Sequence, residues 1–472
     1  MPRSRSFRPI TYPIVGGSYK DGNSPISQQR TLNMYLEQTK AGRTDVILNS
    51  WPGLKLWSSG ASGEYDRGVY KRLFNGLAYK VSGSTLYSID SSGTQTAIGA
   101  IGGGDQVTMA DNGSVLVIVG GNTAYEYDGT TLTTRSHSFT PSTVDYLNNQ
   151  FIYGATNGRV YISTAGLTTV ISGNSFSPDS SPDDLIRPFV FDQFLLNFNE
   201  RSIEPWENTG QGIPPMERMD GVIQEQTGIP GKDSVTSSSR AIYFLGSDNE
   251  PYQMVNFQSN KIGDAAVSRA IQEYGDNQSC RVYHTSFRAQ DFIVWHFPVV
   301  GKTWLYSEQT EVWSELDHDV NSQRYLGNST AQLFDKNLIG DYSSGNIYEL
   351  DEDTYQNNGV PMVRERVARP LSGEQFNNPR QRVQFSELTF SLETGVGNPN
   401  DPNPLLETSL STDGVKFGDE VWHEIRREGQ YQQDIKHSTN KNCTDLAVKL
   451  RYMRNARFSI FTAGALVREA GR

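Results

Sequence analysis

Between Arg67 and Gly129 one short pattern of strands and turns is written twice. In the first copy an apolar run, Leu77–Val81, turns at Ser82–Gly83, alternates through Leu86–Ile89 and turns again at Asp90–Gly93. In the second, Val115–Val119 turns at Gly120–Gly121 and alternates through Tyr125–Tyr127 into Asp128–Gly129, some 38–40 residues after the first. Alternation of period two, bounded by Gly, Asn, Asp and Ser, marks antiparallel hairpins. Hairpins that recur about every 40 residues, four short strands to a unit, match the blades of a β-propeller. A plain meander in a sandwich would also contain such hairpins, but it has no reason to keep the period.

Composition agrees with an all-β chain. Its 472 residues suffice for two or three domains, and 44 glycines, 11% aromatic and only 20% charged residues suit many tight turns and large cross-strand side chains. Cys280 and Cys443 are the only cysteines, which excludes a disulfide framework and a cysteine zinc site. The opening MPRSRSFRPITYPIV lacks an apolar signal segment, and no run of about 18 apolar residues occurs. The expectation is a chain that neither follows a signal peptide nor inserts into a membrane. A net charge of -11 argues against a free-standing nucleic-acid binder, though not against a surface that DNA slides past without sticking.

Along the chain, residues 1–60 are expected to form an extended arm with strands at Thr31–Leu36 and Val46–Leu48, packing on another domain or on neighbouring subunits. Arg3, Arg5 and Arg8 give this arm a basic tip, which suits either a solvated tail or an acidic patch on a partner, and Trp51–Trp57 reads as a turn between aromatics. Hairpin units continue through Asp145–Ser163, Pro188–Trp206, Ala241–Phe257 and Cys280–Trp313, with a partial unit at Leu333–Leu350 that a strand from earlier sequence could complete. One helix is expected at Asp264–Tyr274, where Asp264 can cap and Val267, Ala270, Ile271 and Tyr274 share a face. After Asn358 the strands lengthen and the period disappears. The reading is thus a propeller of six or seven irregular blades over 61–357 and a β-sandwich-like platform over 358–472, joined by the N-terminal segment.

Motifs for chemistry are scarce. Six histidines show no metal-binding spacing, although His284 and His296 could converge in a sheet. Gly228–Asp233 (GIPGKD) imitates a phosphate loop but lacks its first glycine and its final Ser or Thr, and Gly102–Gly104 lacks the dinucleotide spacing. A glycosidase needs two carboxylates at a set separation. Asp351-Glu352-Asp353 reads as a solvated turn, and Ser411–Gly414 followed by Trp422 resembles a single Asp-box outside the propeller. No catalytic, metal or cofactor residue is assigned. A glycan-binding or glycan-cleaving propeller is the alternative, distinguished by paired carboxylates and aromatics at one mouth.

An ordered set of short stretches carries a resemblance. Leu32–Met34, Trp51–Leu54, Arg67–Val69, Tyr125–Gly129, Ser202–Glu204 with Thr209–Gly210, Gly228–Gly231, Ala266–Tyr274, Ser411–Gly414 and the strand region after Lys449 fall in the order found in the packaged-DNA stabilisation proteins of short-tailed phages. That family is also called the tail accessory factor, tail hub or nozzle family. The resemblance implies a propeller joined to a platform-like β domain, with no catalytic residues and no cofactor. It implies a homo-oligomer, a hexameric ring beneath the portal and its adaptor, that extends the channel for double-stranded DNA without reading its sequence. It further implies attachment sites for tailspikes or fibres and for a needle or plug, and a place in the virion tail after synthesis in the host bacterial cytoplasm. The Arg3, Arg5 and Arg8 tip would then meet the adaptor or a neighbouring subunit.

Overall fold

The computed structural model describes residues 6–20, 28–39, 44–372, 382–395, 404–425, 429, 431 and 434–470. Seven four-stranded antiparallel sheets follow one another along the chain. Their innermost strands are Asp66–Val69, Thr108–Asp111, Pro141–Leu147, Leu185–Phe191, Val235–Ser237, Arg281–Phe287 and Gly327–Leu333, in blades one to seven. The hairpins close on two-residue turns whose backbones are left-handed at both positions: Gly121-Asn122, Asn148-Asn149, Arg288-Ala289 and Phe334-Asp335. Such turns match the right-handed twist of the strands they join. Within the Pro188–Trp206 unit, Asp192 (φ 54°) turns Leu185–Phe191 into Phe194–Asn199.

Each blade is buried on both faces, which explains its nearly continuous apolar strands. In blade two, Leu116 and Ile118 pack on Tyr79 and Val81 of blade one, while Val117 and Val119 pack on Phe151 and Tyr153 of blade three. The same interdigitation continues round to the last interface, where Leu338 and Ile347 of blade seven meet Val69 and Ala78 of blade one. The ring is closed, with seven blades.

Closure uses sequence from before blade one. Gly53–Ser58 is the outer strand of blade seven, antiparallel to Ile347–Asp351 with Leu54 opposite Leu350. Trp51–Trp57 is therefore mostly strand and not a turn: Leu54 is fully buried and draws the segment into the sheet. Asp351–Asp353 is the turn expected, with the Asp351 carboxylate accepting from the Asp353 amide at 2.9 Å.

The remaining strands form two facing sheets. One contains Arg8–Tyr12, Met34–Gln38, Val46–Ser50, Val383–Leu392, Ile435–Cys443 and Ser459–Glu469. The other contains Gln28–Leu32, Arg364–Val367, Leu405–Ser411, Val421–Glu424 and Asp445–Tyr452. Tyr12, Met34, Phe385, Phe390, Val448, Leu450 and Phe458 fill the space between them. The second sheet does not stop at the edge of the sandwich. Leu32 bridges in parallel to Glu315, so it continues into blade six as one sheet of eleven strands.

Thr31–Leu36, expected as one strand, breaks at Asn33, a fully buried residue with φ 51°. Its Nδ2 donates to the Val363 carbonyl at 2.8 Å, and its Oδ1 accepts from the Asp317 amide at 3.0 Å. Asn tolerates the left-handed region and here satisfies its own side chain while steering the backbone from one sheet to the other. Arg30, just before the break, holds Glu315 at 2.8 Å, Asp317 at 3.3 Å and Glu365 at 3.4 Å, tying blade six to the sandwich. The single α-helix among the described residues, Ala265–Glu273, is capped by Asp264 as expected, through the amides of Ala266 and Val267 at 2.9 Å each.

Candidate functional site: the propeller axis

The inner strands of all seven blades line a funnel of about 360 Å³ on the axis. Its floor is a polar network that crosses from blade to blade. Lys232, at the entry to blade five, reaches across to blade two, where its Nζ meets the Asp105 carboxylate at 2.5 Å and the Gln106 carbonyl at 2.7 Å. Arg187 of blade four donates to the Lys232 carbonyl at 2.7 Å. Arg281 of blade six donates to the side-chain oxygen of Asn328 in blade seven. Asn328 in turn donates to the Asp66 carbonyl at 2.9 Å, and Ser329 to the Asp66 carboxylate at 2.7 Å. Burial pushes the Asp66 carboxyl above its ordinary range, and these hydrogen bonds oppose that rise.

The loop that carries Asp105 is fixed from beneath. Arg67, fully buried, donates to the carbonyls of Gly83 at 2.9 Å, Gly102 at 2.8 Å and Asp105 at 2.7 Å. Gly103 lies so close to Gly121 that a Cβ on it would stand 2.5 Å from the Gly121 Cα. The glycine run Gly102–Gly104 is thus a packing loop. Lys232 belongs to the rejected phosphate-loop imitation, and its place on the axis was not visible from that motif.

Above the floor the funnel opens between Lys71 and Arg72 of blade one, Asp145 of blade three and Arg187 of blade four. The Asp145 carboxylate accepts from the backbone amides of Val190 at 3.0 Å and Tyr146 at 2.9 Å. Asp111 accepts from the Tyr70 hydroxyl and from the Gly113 amide at 2.8 Å. Lys71 keeps an exposed surface, yet the walls around it lower its basicity; Arg187 lowers it further and Asp145 opposes both. Arg187 is lowered by burial, with Asp233 and Asp145 acting against that shift.

The predicted contact residues lie elsewhere. Arg8 is exposed on the strand Arg8–Tyr12, opposite Val467, and Arg3 and Arg5 lie outside the described residues. His284 and His296 do not converge: His284 meets Asp291 at 2.9 Å, whereas buried His296 meets Thr303 at 2.8 Å. Among the described residues no group of three or more His, Cys, Asp or Glu side chains could hold a metal ion, and no helix is long and apolar enough to cross a membrane. In the Asp-box-like turn, the Asp413 carboxylate accepts from the amides of Val415 at 2.9 Å and Lys416 at 2.8 Å, and its pKa is pushed down to about 2. Trp422 stands half exposed, Trp51 is buried and Trp57 lies against Phe334.

Sequence reading did not find the pair His423 and His437, whose ring nitrogens lie 3.1 Å apart in the sandwich and share the Thr408 hydroxyl at 3.0 and 2.8 Å. Burial lowers both pKa values, and for His437 the neighbouring ring adds to the effect. An unfolded chain takes up these protons near pH 6.5, before the folded one does. Their contribution is complete above that pH and is lost as pH falls through the folded values. The midpoint of guanidinium unfolding should therefore fall between pH 7.5 and pH 5.5, and replacing both residues with Gln should flatten that fall; an unchanged slope would contradict the assignment.

A family model described as "Bacteriophage P22 Gp10, beta-propeller", of the Phage_stabilise family, matches residues 10–355. The chain belongs to that family. As a Phage_stabilise protein it is a structural component of a phage tail, and the match takes in the whole propeller together with the strand Gly53–Ser58 that closes it. Among solved structures, the computationally designed Ika8 protein is similar at a TM-score of 0.40 with 11% identity, over 68% of this chain and 99% of its own. No curated protein matches the sequence.

Proposed function

We propose that this Phage_stabilise protein is a nozzle subunit of a short phage tail. Copies of it, six by the family resemblance, form a ring below the portal and adaptor that extends the DNA channel and retains packaged DNA. The outside of the ring carries tailspikes or fibres, and its end a needle or plug. The propeller serves as the wall, and the sandwich with the N-terminal arm, including Arg8, as the platform for neighbours and adaptor. The observation that carries the ring is the sealed axis. A duplex whose major groove alone is about 12 Å wide cannot thread a funnel of about 360 Å³ crossed by Lys232 and Asp105. This supports a path for DNA beside the propellers, inside a ring of chains, past a protein whose net charge of -11 does not grip phosphates.

Mass photometry of the purified chain, alone and with the portal–adaptor complex of the same phage, tests this. The expected result is a monomer or small oligomer alone and about six copies on the complex, the number the resemblance implies. A chain that stays monomeric beside every tail component would overturn it. The glycan alternative finds Asp111 and Asp145 in one funnel with Tyr70, Tyr146 and Phe189, but both carboxylates are held by the wall's own donors and cations stand among them, which disfavours them as an acid–base pair.

A further inference from the structure

We propose that the axial funnel binds an oxyanionic group, a phosphate or a carboxylate, through Lys71, Arg72 and Arg187. The argument is an accounting of donors and acceptors. The two acids at the mouth already take donors from within the wall: Asp145 accepts from two backbone amides, and Asp111 from a phenol and an amide. The cations are not satisfied in this way. A guanidinium has five donors; Arg187 spends one on the Lys232 carbonyl and lays its plane over Phe189, 5.3 Å from the ring centre. Among the described residues neither Lys71 nor Arg72 has a carboxylate within 4 Å. Asp233, the remaining carboxylate of the wall, is divided between Arg187 and Arg281.

This surplus of donors stands in an enclosed space and in a chain of opposite net charge. A funnel of about 360 Å³ has the size of a small-ligand site, which spans about 300–1,000 Å³. Burial is the larger cause of the lowered basicity of Lys71; repulsion from Arg187 adds to it and Asp145 opposes both, so an anion seated between the two cations would favour their charged forms. The inference does not depend on ring assembly, since every lining residue comes from one chain.

The oxyanion can be free or carried on an acidic segment of another protein, and calorimetry of the full-length chain separates the two. Pyrophosphate and a short oligoglutamate peptide are titrated separately into the wild type, Arg187→Gln, Lys71→Gln and the control Lys436→Gln, which alters an ammonium on the sandwich beside Glu387. A single site is expected, weakened about tenfold or more by either funnel substitution and unchanged by the control. Binding of pyrophosphate alone identifies a free anion, and binding of the peptide alone identifies a partner segment. Lys71 is exposed, so Lys71→Gln should fold even where Arg187→Gln does not. No binding of either probe at millimolar concentration, or equal binding to the wild type and Lys71→Gln, overturns the proposal.

Discussion

Replacing Trp51 with Ala should lower the free energy of unfolding by about 3–5 kcal/mol, the usual cost of deleting a buried indole. Trp51 is 1% exposed and stands where the two halves of the fold meet. Tyr35, from the sandwich, lies edge-on to it at 6.0 Å between ring centres; Phe292 and Phe287, from blade six, lie at 5.1 and 6.0 Å. Its Nε1 points to the Tyr325 hydroxyl at 3.5 Å, and its backbone amide donates to the Asn33 carbonyl at 2.9 Å. The cavity would thus open at the turning point of the chain, where Asn33 fixes the backbone and little can collapse inward. Guanidinium unfolding followed by circular dichroism reads the loss, and Trp51→Phe should recover part of it. A loss no larger than the roughly 0.5 kcal/mol of a surface substitution would show that this junction does not hold the halves together.

Arg366→Ala should be nearly as costly, for a different reason. This guanidinium is 1% exposed, and burial brings its pKa down to about 10, so it stays charged at neutral pH. Carbonyl and hydroxyl oxygens surround it: Ile14 O at 2.6 Å, Gly17 O at 2.7 Å and Thr31 Oγ1 at 2.9 Å. Gly16 completes the cradle, since a Cβ there would come within 2.9 Å of Nη2. Truncation leaves buried acceptors unpaired, at about 1–3 kcal/mol each, and the segment Ile14–Ser18 loses what draws it against the sandwich. The expected result is a destabilisation of about 3 kcal/mol or more, with amide exchange accelerating first in that segment. Arg366→Lys should restore little, because one ammonium cannot span acceptors set for a planar fork. Unchanged exchange in residues 14–18 would refute this role.

How much of this was legible in the chain depended on range. Local signals held: Asn148-Asn149 and Asn157-Gly158 named their turns, Asp264 its helix, and the doubled hairpin its blades. Turns at Arg288-Ala289 and Phe334-Asp335 carry no such mark, because their left-handed backbone is imposed by the strands on either side. The strand Ile435–Cys443, IKHSTNKNC, was missed because its outer face is polar and only alternate residues such as Ile435 and His437 turn inward. The break at Asn33 could not be read from Thr31–Leu36, since what satisfies it comes from Asp317 and Val363, about 300 residues away. The funnel had a faint signal. Gln106, Asp145, Arg187, Asp233, Arg281 and Asn328 recur at intervals of 39, 42, 46, 48 and 47 residues, one polar side chain in or just before the inner strand of each of blades two to seven. Read singly, each looks like an ordinary polar position in a half-buried strand.

The pairing of Arg8–Tyr12 with Ser459–Glu469 sets a clock on the making of this protein. Tyr12 lies opposite Ala463, so the ribosome must add some 450 further residues before the partner of the first strand exists. At about 5–20 residues per second that wait lasts between about 20 and 90 s. Gly53–Ser58 likewise remains unpaired until Ile347–Asp351 has been made, which leaves blade seven unfinished for most of translation. A nascent chain therefore cannot complete the sandwich sheet until Ser459–Glu469 has been made.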